Sequence, residues 1–121
     1  MSKCILVVED QADNRRILRD LLSNAGYELI EAESGEEALT AVEAQRPDLI
    51  LMDIQLPVMD GYEATRRIRS KPELKSIPII AVTSYALAGD EAKALAIGCN
   101  AYIAKPFELA TLMNAVKRYL P

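Results

Sequence analysis

Short apolar runs alternate with longer amphipathic stretches along the whole chain. Three of the runs are almost continuously hydrophobic, as is typical of parallel strands that are covered on both faces. The run Glu28–Ala32 is more polar, which indicates a strand at the edge of a sheet. The predicted strands are Cys4–Val8, Glu28–Ala32, Leu49–Met52, Ile79–Val82 and Ala101–Ala104.

Each predicted strand is followed by a stretch with helical periodicity. Ser34 and Glu37 have the spacing of a capping box, and a glycine follows two of the other stretches as a stop signal. Arg66, Arg67 and Arg69 are expected to form a solvated helix face. The predicted helices cover residues 13–25, a stretch from Ser34 that Pro47 closes, and residues 60–70, 89–97 and 108–120.

This order of elements predicts a single α/β domain over residues 1–121. Right-handed crossovers would bury five β-α pairs as a doubly wound, five-stranded parallel sheet with helices on both faces, a flavodoxin-like three-layer sandwich. With the strand order 2-1-3-4-5, ligands would bind at the carboxyl ends of the strands, between strands one and three.

Composition excludes several classes of function. The 121 residues include 14 Lys and Arg, 18 Asp and Glu and no histidine, a net charge of −4. An acidic protein disfavours nonspecific nucleic-acid binding, and the lack of histidine excludes Ser-His-Asp catalysis and histidine metal sites. Two cysteines, no signal sequence and no apolar stretch long enough to span a membrane favour a soluble protein of the reducing cytoplasm.

Three carboxylates stand at predicted strand ends. Glu9 and Asp10 end the first strand, and Asp53 ends the third. In the proposed order they converge on one crevice, where their mutual repulsion requires a cation. Oxygen ligands without histidine or cysteine favour Mg²⁺. Asp13 suits the start of the first helix better than this site.

The other strand ends carry groups suited to phosphoryl transfer. Thr83 ends the fourth strand, and Lys105 follows the fifth. An ammonium and a hydroxyl beside Mg²⁺ can position and neutralise phosphoryl oxygens. Asp53 is the best candidate for a nucleophile that forms an aspartyl-phosphate, because a rigid apolar run precedes it.

The motifs at these strand ends resemble the receiver domain of bacterial two-component response regulators. The resemblance covers the whole chain and rests on residues 5–10, 47–53, 56–61, 79–84 and 104–107. It implies that Asp53 accepts a phosphoryl group from a histidine kinase or a histidine phosphotransfer protein. Glu9, Asp10, Asp53 and the backbone carbonyl of Gln55 would hold Mg²⁺, with Glu9 at shifted geometry or through water.

The resemblance also implies a switch. Thr83 would be drawn to the phosphoryl group, the Tyr102 ring would turn inward, and the face made by helix four, strand five and helix five would change its affinity for an output protein. Lys105 would pair with the phosphoryl group and precede a cis peptide bond to Pro106. Gln55 and Tyr85 would influence the phosphoryl lifetime, and the first helix, with Asn14, Ile17 and Leu18, would help to dock the donor.

Other hypotheses remain open from the residues alone. A flavodoxin-like carrier would need a phosphate-binding loop after strand one, where Glu9 and Asp10 would repel a phosphate. A haloacid-dehalogenase-type phosphatase would need a second aspartate where this chain has Gln55. The chain could also be an interaction module that works without phosphorylation, or a receiver excised from a hybrid histidine kinase. The length leaves room for one receiver and no output domain.

Overall fold

The computed structural model describes residues 2–84 and 89–121. Its elements follow the predicted order, and β3 and β4 each extend one residue further than predicted, so that Asp53 and Thr83 belong to their strands. The strands are β1 (Cys4–Val8), β2 (Glu28–Ala32), β3 (Leu49–Asp53), β4 (Ile79–Thr83) and β5 (Ala101–Ala104). The helices are α1 (Ala12–Asn24), α2 (Gly35–Ala44), α3 (Gly61–Arg69), α4 (Asp90–Ile97) and α5 (Leu109–Tyr119), with a 3₁₀ turn at Pro72–Leu74.

The five strands form one parallel sheet in the order β2-β1-β3-β4-β5, which confirms the predicted topology. Every residue of β1, β3 and β4 is buried, whereas β2 is partly exposed, as expected of an edge strand. In the register Asp53 pairs with Val82 and Thr83 with Ala104. The carboxyl ends of the inner strands therefore lie along one edge.

The core divides into two clusters, one on each face of the sheet. Successive residues of a strand point to opposite faces, so Leu6 of β1 belongs to the cluster under α2, α3 and α4, and Ile5 to the one under α1 and α5. Ile50 and Leu51 of β3 divide in the same way. This packing confirms the three-layer sandwich.

Side-chain caps begin two of the helices. The Ser34 side chain accepts a hydrogen bond from the Glu37 amide at 3.1 Å, and the Asp60 side chain accepts one from the Glu63 amide at 2.9 Å. Both caps satisfy amides that have no partner within the helix. Asp60 begins the helix that packs beside the end of β3.

Gly61 brings α3 close to the strand that carries Asp53. A Cβ atom at this position would lie 2.3 Å from the Asp53 carbonyl oxygen and 2.7 Å from the Ile54 Cα. The Gly61 amide donates to the Ile54 carbonyl at 2.9 Å. Only glycine permits this approach, so the residue fixes the distance between α3 and the site edge.

The prediction of a solvated arginine face on α3 is wrong for Arg69. Arg66 and Arg67 are exposed and pair with Glu63, but Arg69 donates to the Gly98 carbonyl at 2.9 Å, the Leu74 carbonyl at 3.1 Å and Asn100 Oδ1 at 2.9 Å. The carbonyls at the end of a helix lack intrahelical donors, and the end of α4 lies beside Arg69. Arg69 therefore joins α3 to the turn before β5.

Two predictions about the chain as a whole concern thiols and membranes. Cys4 and Cys99 are both buried, and neither forms a disulfide, as predicted. Among the described residues, no helix has the length and apolar character needed to cross a bilayer.

Candidate functional site

The three predicted carboxylates come together at the carboxyl edge of the sheet. Glu9 follows β1, Asp10 continues the same loop, and Asp53 is the last residue of β3. One oxygen from each lies within 4.8 Å of the others. Glu9 is only 2% and Asp53 only 5% exposed. The sheet therefore buries two like charges side by side, and Asp10 closes the cluster on the solvent side.

Lys105 reaches this cluster from the end of β5. Its Nζ donates to Glu9 Oε1 at 2.5 Å and lies 3.7 Å from Asp53 Oδ2. The peptide bond from Lys105 to Pro106 is cis, as the resemblance implied. The ammonium thus lies between two of the carboxylates and closer to Glu9, because the longer glutamate side chain extends toward it.

The two buried carboxylates differ in proton affinity. Burial raises the pKa of Asp53 to about 7, with the charge of Glu9 as the second cause, and Lys105 only partly opposes the rise. Burial alone would raise the pKa of Glu9 as well, but the hydrogen bonds from Lys105 and the Gln11 amide outweigh it and lower that pKa. Asp53 is therefore the carboxyl group of the pair with the raised pKa, and Glu9 the one with the lowered pKa.

Loops after β3 and β4 line the cluster. The Gln55 amide donates to Asp53 Oδ1 at 3.0 Å, and the Gln55 side-chain oxygen accepts from the Ser84 amide at 3.0 Å. Thr83 is buried at the end of β4, and its carbonyl accepts from the Lys105 amide at 2.7 Å. The contact of the Gln55 side chain with Ser84 ties the two loops together and was not predicted.

Two predicted residues lie further from the carboxylates or outside the described part of the chain. Tyr102 is half-buried in β5, beside Ala81 of β4, and packs against the core cluster under α4. Tyr85 lies outside the described residues.

An open cleft of about 210 Å³ lies above the carboxylates. A second, more apolar hollow of about 460 Å³ adjoins it between α1 and the loop after β5. Ile17, which is 53% exposed, lines this hollow. The hollow is also lined by Glu9, Asn14, Leu18, Ser84, Lys105, Pro106 and Phe107. The predicted docking residues Asn14, Ile17 and Leu18 therefore lie beside the carboxylate cluster.

Comparison with known protein families decides what this arrangement belongs to. Residues 5–117 match the model of the response regulator receiver domain. The chain belongs to this family. The receiver is also similar to the polar-differentiation response regulator DivK of Brucella ovis, with 45% identity over 120 residues, 99% of this chain and 98% of that protein.

Solved receivers have the same fold. The receiver domain of a sensor histidine kinase from Pseudomonas aeruginosa is 42% identical, with a TM-score of 0.91 over 99% of this chain and 98% of that one. That structure has a magnesium ion coordinated in its active-site cleft. The chemotaxis protein CheY4 of Vibrio cholerae is 30% identical, with a TM-score of 0.92 over 98% and 99% of the two chains.

The residues of this receiver fit a magnesium ion. Three carboxylates offer hard oxygen ligands within a few ångströms of one another, and two of them are buried. Lys105 supplies one positive charge to a group of three negative ones. A divalent cation with carboxylate and water ligands would balance the remainder.

Sequence reasoning missed Arg15. The side chain of this α1 residue is only 11% exposed and donates to the Glu9 carbonyl at 2.8 Å. The available signal was the pair of acidic residues, Glu31 and Glu33, at the end of the neighbouring edge strand β2. Their charges could have indicated a basic partner on α1.

Proposed function

We propose that this receiver accepts a phosphoryl group on Asp53 from a phosphohistidine of a partner protein, and that it works as a phosphorylation switch in a two-component phosphorelay of the cytoplasm. One observation carries the proposal: Asp53 lies buried at a strand end, beside two carboxylates and the Lys105 ammonium. A histidine kinase or a histidine phosphotransfer protein would be the donor, since this chain contains no histidine.

The chemistry is an in-line displacement at phosphorus. A carboxylate oxygen of Asp53 forms the new bond to phosphorus, the phosphorus–nitrogen bond of the donor breaks, and the imidazole nitrogen keeps the electron pair. Asp53 must be ionised to attack, so its raised pKa has to be offset by positive charge at the site. Lys105, 3.7 Å from Asp53 Oδ2, would pair with a phosphoryl oxygen.

Glu9, Asp10, Asp53 and the backbone carbonyl of Gln55 would hold Mg²⁺. When bound, the ion neutralises the cluster and the phosphoryl oxygens that enter it. The Gln55 amide already holds Asp53 Oδ1 at 3.0 Å, which leaves Oδ2 on the Lys105 side for the attack on phosphorus. The domain would catalyse its own phosphorylation and the later hydrolysis of its aspartyl-phosphate. It would not act as an enzyme on other substrates.

The output would follow from Thr83 and Tyr102. Thr83 ends the strand next to Asp53, so its hydroxyl can move toward a phosphoryl group on that residue. Tyr102 lies on β5 beside Ala81, two residues before Thr83. Inward rotation of its ring would reshape the face formed by α4, β5 and α5, where an output protein would bind.

The hollow beside α1 would receive the donor. Ile17 and Leu18 present apolar surface within the same hollow that Lys105 lines, and Asn14 lines both this hollow and the cleft above the carboxylates. A donor seated against Ile17 would therefore bring its phosphohistidine to the edge that carries Asp53.

Intact-mass spectrometry tests the proposal. Incubation with Mg²⁺ and a small acyl phosphate should add one phosphoryl group to the wild type and none to Asp53→Asn. Asp20→Asn, which changes an exposed aspartate on α1, should gain the group as the wild type does. A wild type that gains no mass, or an Asp53→Asn variant that gains it equally, would refute the assignment. Equal affinity for an output protein before and after phosphorylation would instead favour the phosphorylation-independent module.

A further inference from the structure

Arg15 turns back from the first turn of α1 toward the strand edge. Its Nη1 donates to the Glu9 carbonyl at 2.8 Å, and its Nη2 donates to Glu33 Oε1 at 2.8 Å. Its Nε lies 3.7 Å from Glu31 Oε1. The side chain is 11% exposed, against 61% for Glu33. Arg15 thus bridges the end of β1 and the end of β2 from a nearly buried position.

The loop that Arg15 holds carries two of the three clustered carboxylates. Glu9 and Asp10 lie between β1 and α1, and Gln11 begins the helix without a side-chain cap. The Glu9 amide donates to the Ala32 carbonyl at 3.0 Å, which ties one side of its backbone to β2. The Glu9 carbonyl accepts from Arg15. The backbone of Glu9 is therefore held on both sides, and Arg15 makes one of the two contacts.

A neighbouring arginine offers a comparison within the same helix. Arg19 pairs with Glu31 through two hydrogen bonds, at 2.7 and 2.8 Å, and also joins α1 to β2. Its side chain is 48% exposed, and these hydrogen bonds lead to Glu31 and not to the loop of Glu9. Both arginines therefore join α1 to β2, and Arg15 also contacts the loop that carries Glu9 and Asp10.

We propose that Arg15, anchored by Glu33, is a positioning residue that sets the backbone of the Glu9–Asp10 loop for Mg²⁺. It would not touch the ion. Its planar guanidinium holds a carbonyl and a carboxylate at once, which a lysine cannot do with the same geometry. The inference rests on the proposed magnesium site and adds to it a residue that determines how tightly the loop binds Mg²⁺.

Groups that orient metal ligands typically change metal affinity 10- to 100-fold when they are removed. Because Arg15 acts through the backbone of Glu9, we expect Arg15→Gln to weaken Mg²⁺ binding about 10-fold. Glu33→Gln should weaken it less, because it leaves the contact of Arg15 with Glu9 but removes the anchor. The double variant should lose little more than Arg15→Gln, since both changes act on one contact.

Isothermal titration of each purified variant with Mg²⁺ alone measures this affinity, and urea unfolding in EDTA measures stability separately. Arg19→Gln is the matched control and should bind Mg²⁺ as the wild type does, although it also loses an ion pair with β2. Arg15→Lys should recover only part of the affinity. If Arg15→Gln does not fold, Glu33→Gln is used instead, because replacing an exposed carboxylate disturbs little of the packing.

Three results would overturn the positioning role of Arg15. Equal Mg²⁺ affinity of the wild type, Arg15→Gln and Glu33→Gln would overturn the positioning role and leave the proposed function standing. An equal loss in Arg19→Gln would also overturn it, because any link between α1 and β2 would then suffice. A wild type that does not bind Mg²⁺ would overturn the magnesium site and this inference together.

Discussion

Replacing Asp53 with asparagine should stabilise the metal-free receiver at neutral and alkaline pH. Asp53 is 5% exposed, and burial together with Glu9 raises its pKa from 3.8 to about 7. Each pKa unit corresponds to about 1.4 kcal/mol, so ionised Asp53 costs about 4 kcal/mol more in the native protein than in the unfolded chain. Asparagine is nearly the same size as aspartate but carries no charge. The asparagine amide must lie beside the Lys105 ammonium, which offsets part of this benefit. We therefore expect the free energy of unfolding to rise by about 2–4 kcal/mol.

The pH dependence has a definite sign. The native pKa lies above the unfolded value, so the native protein binds the proton of Asp53 more tightly. The free energy of unfolding of the wild type should therefore fall, relative to Asp53→Asn, as the pH rises from about 4 to about 7. The pH-dependent part of this difference should vanish below this window, where Asp53 is protonated in both states, and level off above it.

Urea unfolding in EDTA at several pH values between 5 and 8.5 measures this difference. Asp20→Asn, on the exposed side of α1, is the control for loss of a carboxylate and should change stability little. Added Mg²⁺ should stabilise the wild type more than Asp53→Asn, because the ion binds the ionised cluster. An Asp53→Asn variant that is no more stable than the wild type at pH 8, or a difference that is the same at pH 5 and pH 8, would refute this prediction.

Two further predictions concern stability away from the carboxylates. Asn100→Ala should lower the free energy of unfolding by about 1–3 kcal/mol in urea titrations, because Asn100 Oδ1 accepts from the Ile79 amide at 2.9 Å and the amide would lose this partner. Unchanged stability would contradict this. Val58→Gly should raise the thermal midpoint slightly, because Val58 has a φ of 67° and is 99% exposed, a conformation that favours glycine. A lower midpoint would show that the valine is not strained.

The sheet could be predicted closely because its inner strands are buried on both faces. Such strands need continuous apolar runs, and the runs in β1, β3 and β4 stand out from the polar helix surfaces around them. The strand ends were predicted one residue short at Asp53 and Thr83. A polar residue in sequence indicates the end of a strand, but the backbone keeps pairing, with Asp53 opposite Val82 and Thr83 opposite Ala104.

Contacts between distant segments could not be predicted from local patterns. Arg69 looked like a member of an exposed helix face, yet its partners Gly98 and Asn100 lie 29 and 31 residues away. Their position depends on how the end of α4 packs beside α3. Arg15 was missed because its partners lie outside its own helix, with Glu9 six residues before it and Glu33 eighteen residues after it.

The position of Lys105 is a feature of the site that the sequence predicts only in part. Strand order alone brings Glu9, Asp53 and Lys105 to one edge, and this could be predicted. Which carboxylate holds the ammonium depends on side-chain length: Glu9 approaches Lys105 to 2.5 Å, whereas Asp53 stays at 3.7 Å. This difference lowers the pKa of Glu9 and leaves the rise at Asp53 only partly offset. The electrostatic state of the proposed phosphoacceptor therefore depends on a glutamate at a neighbouring strand end, and a shorter aspartate there would leave Lys105 free to move toward Asp53.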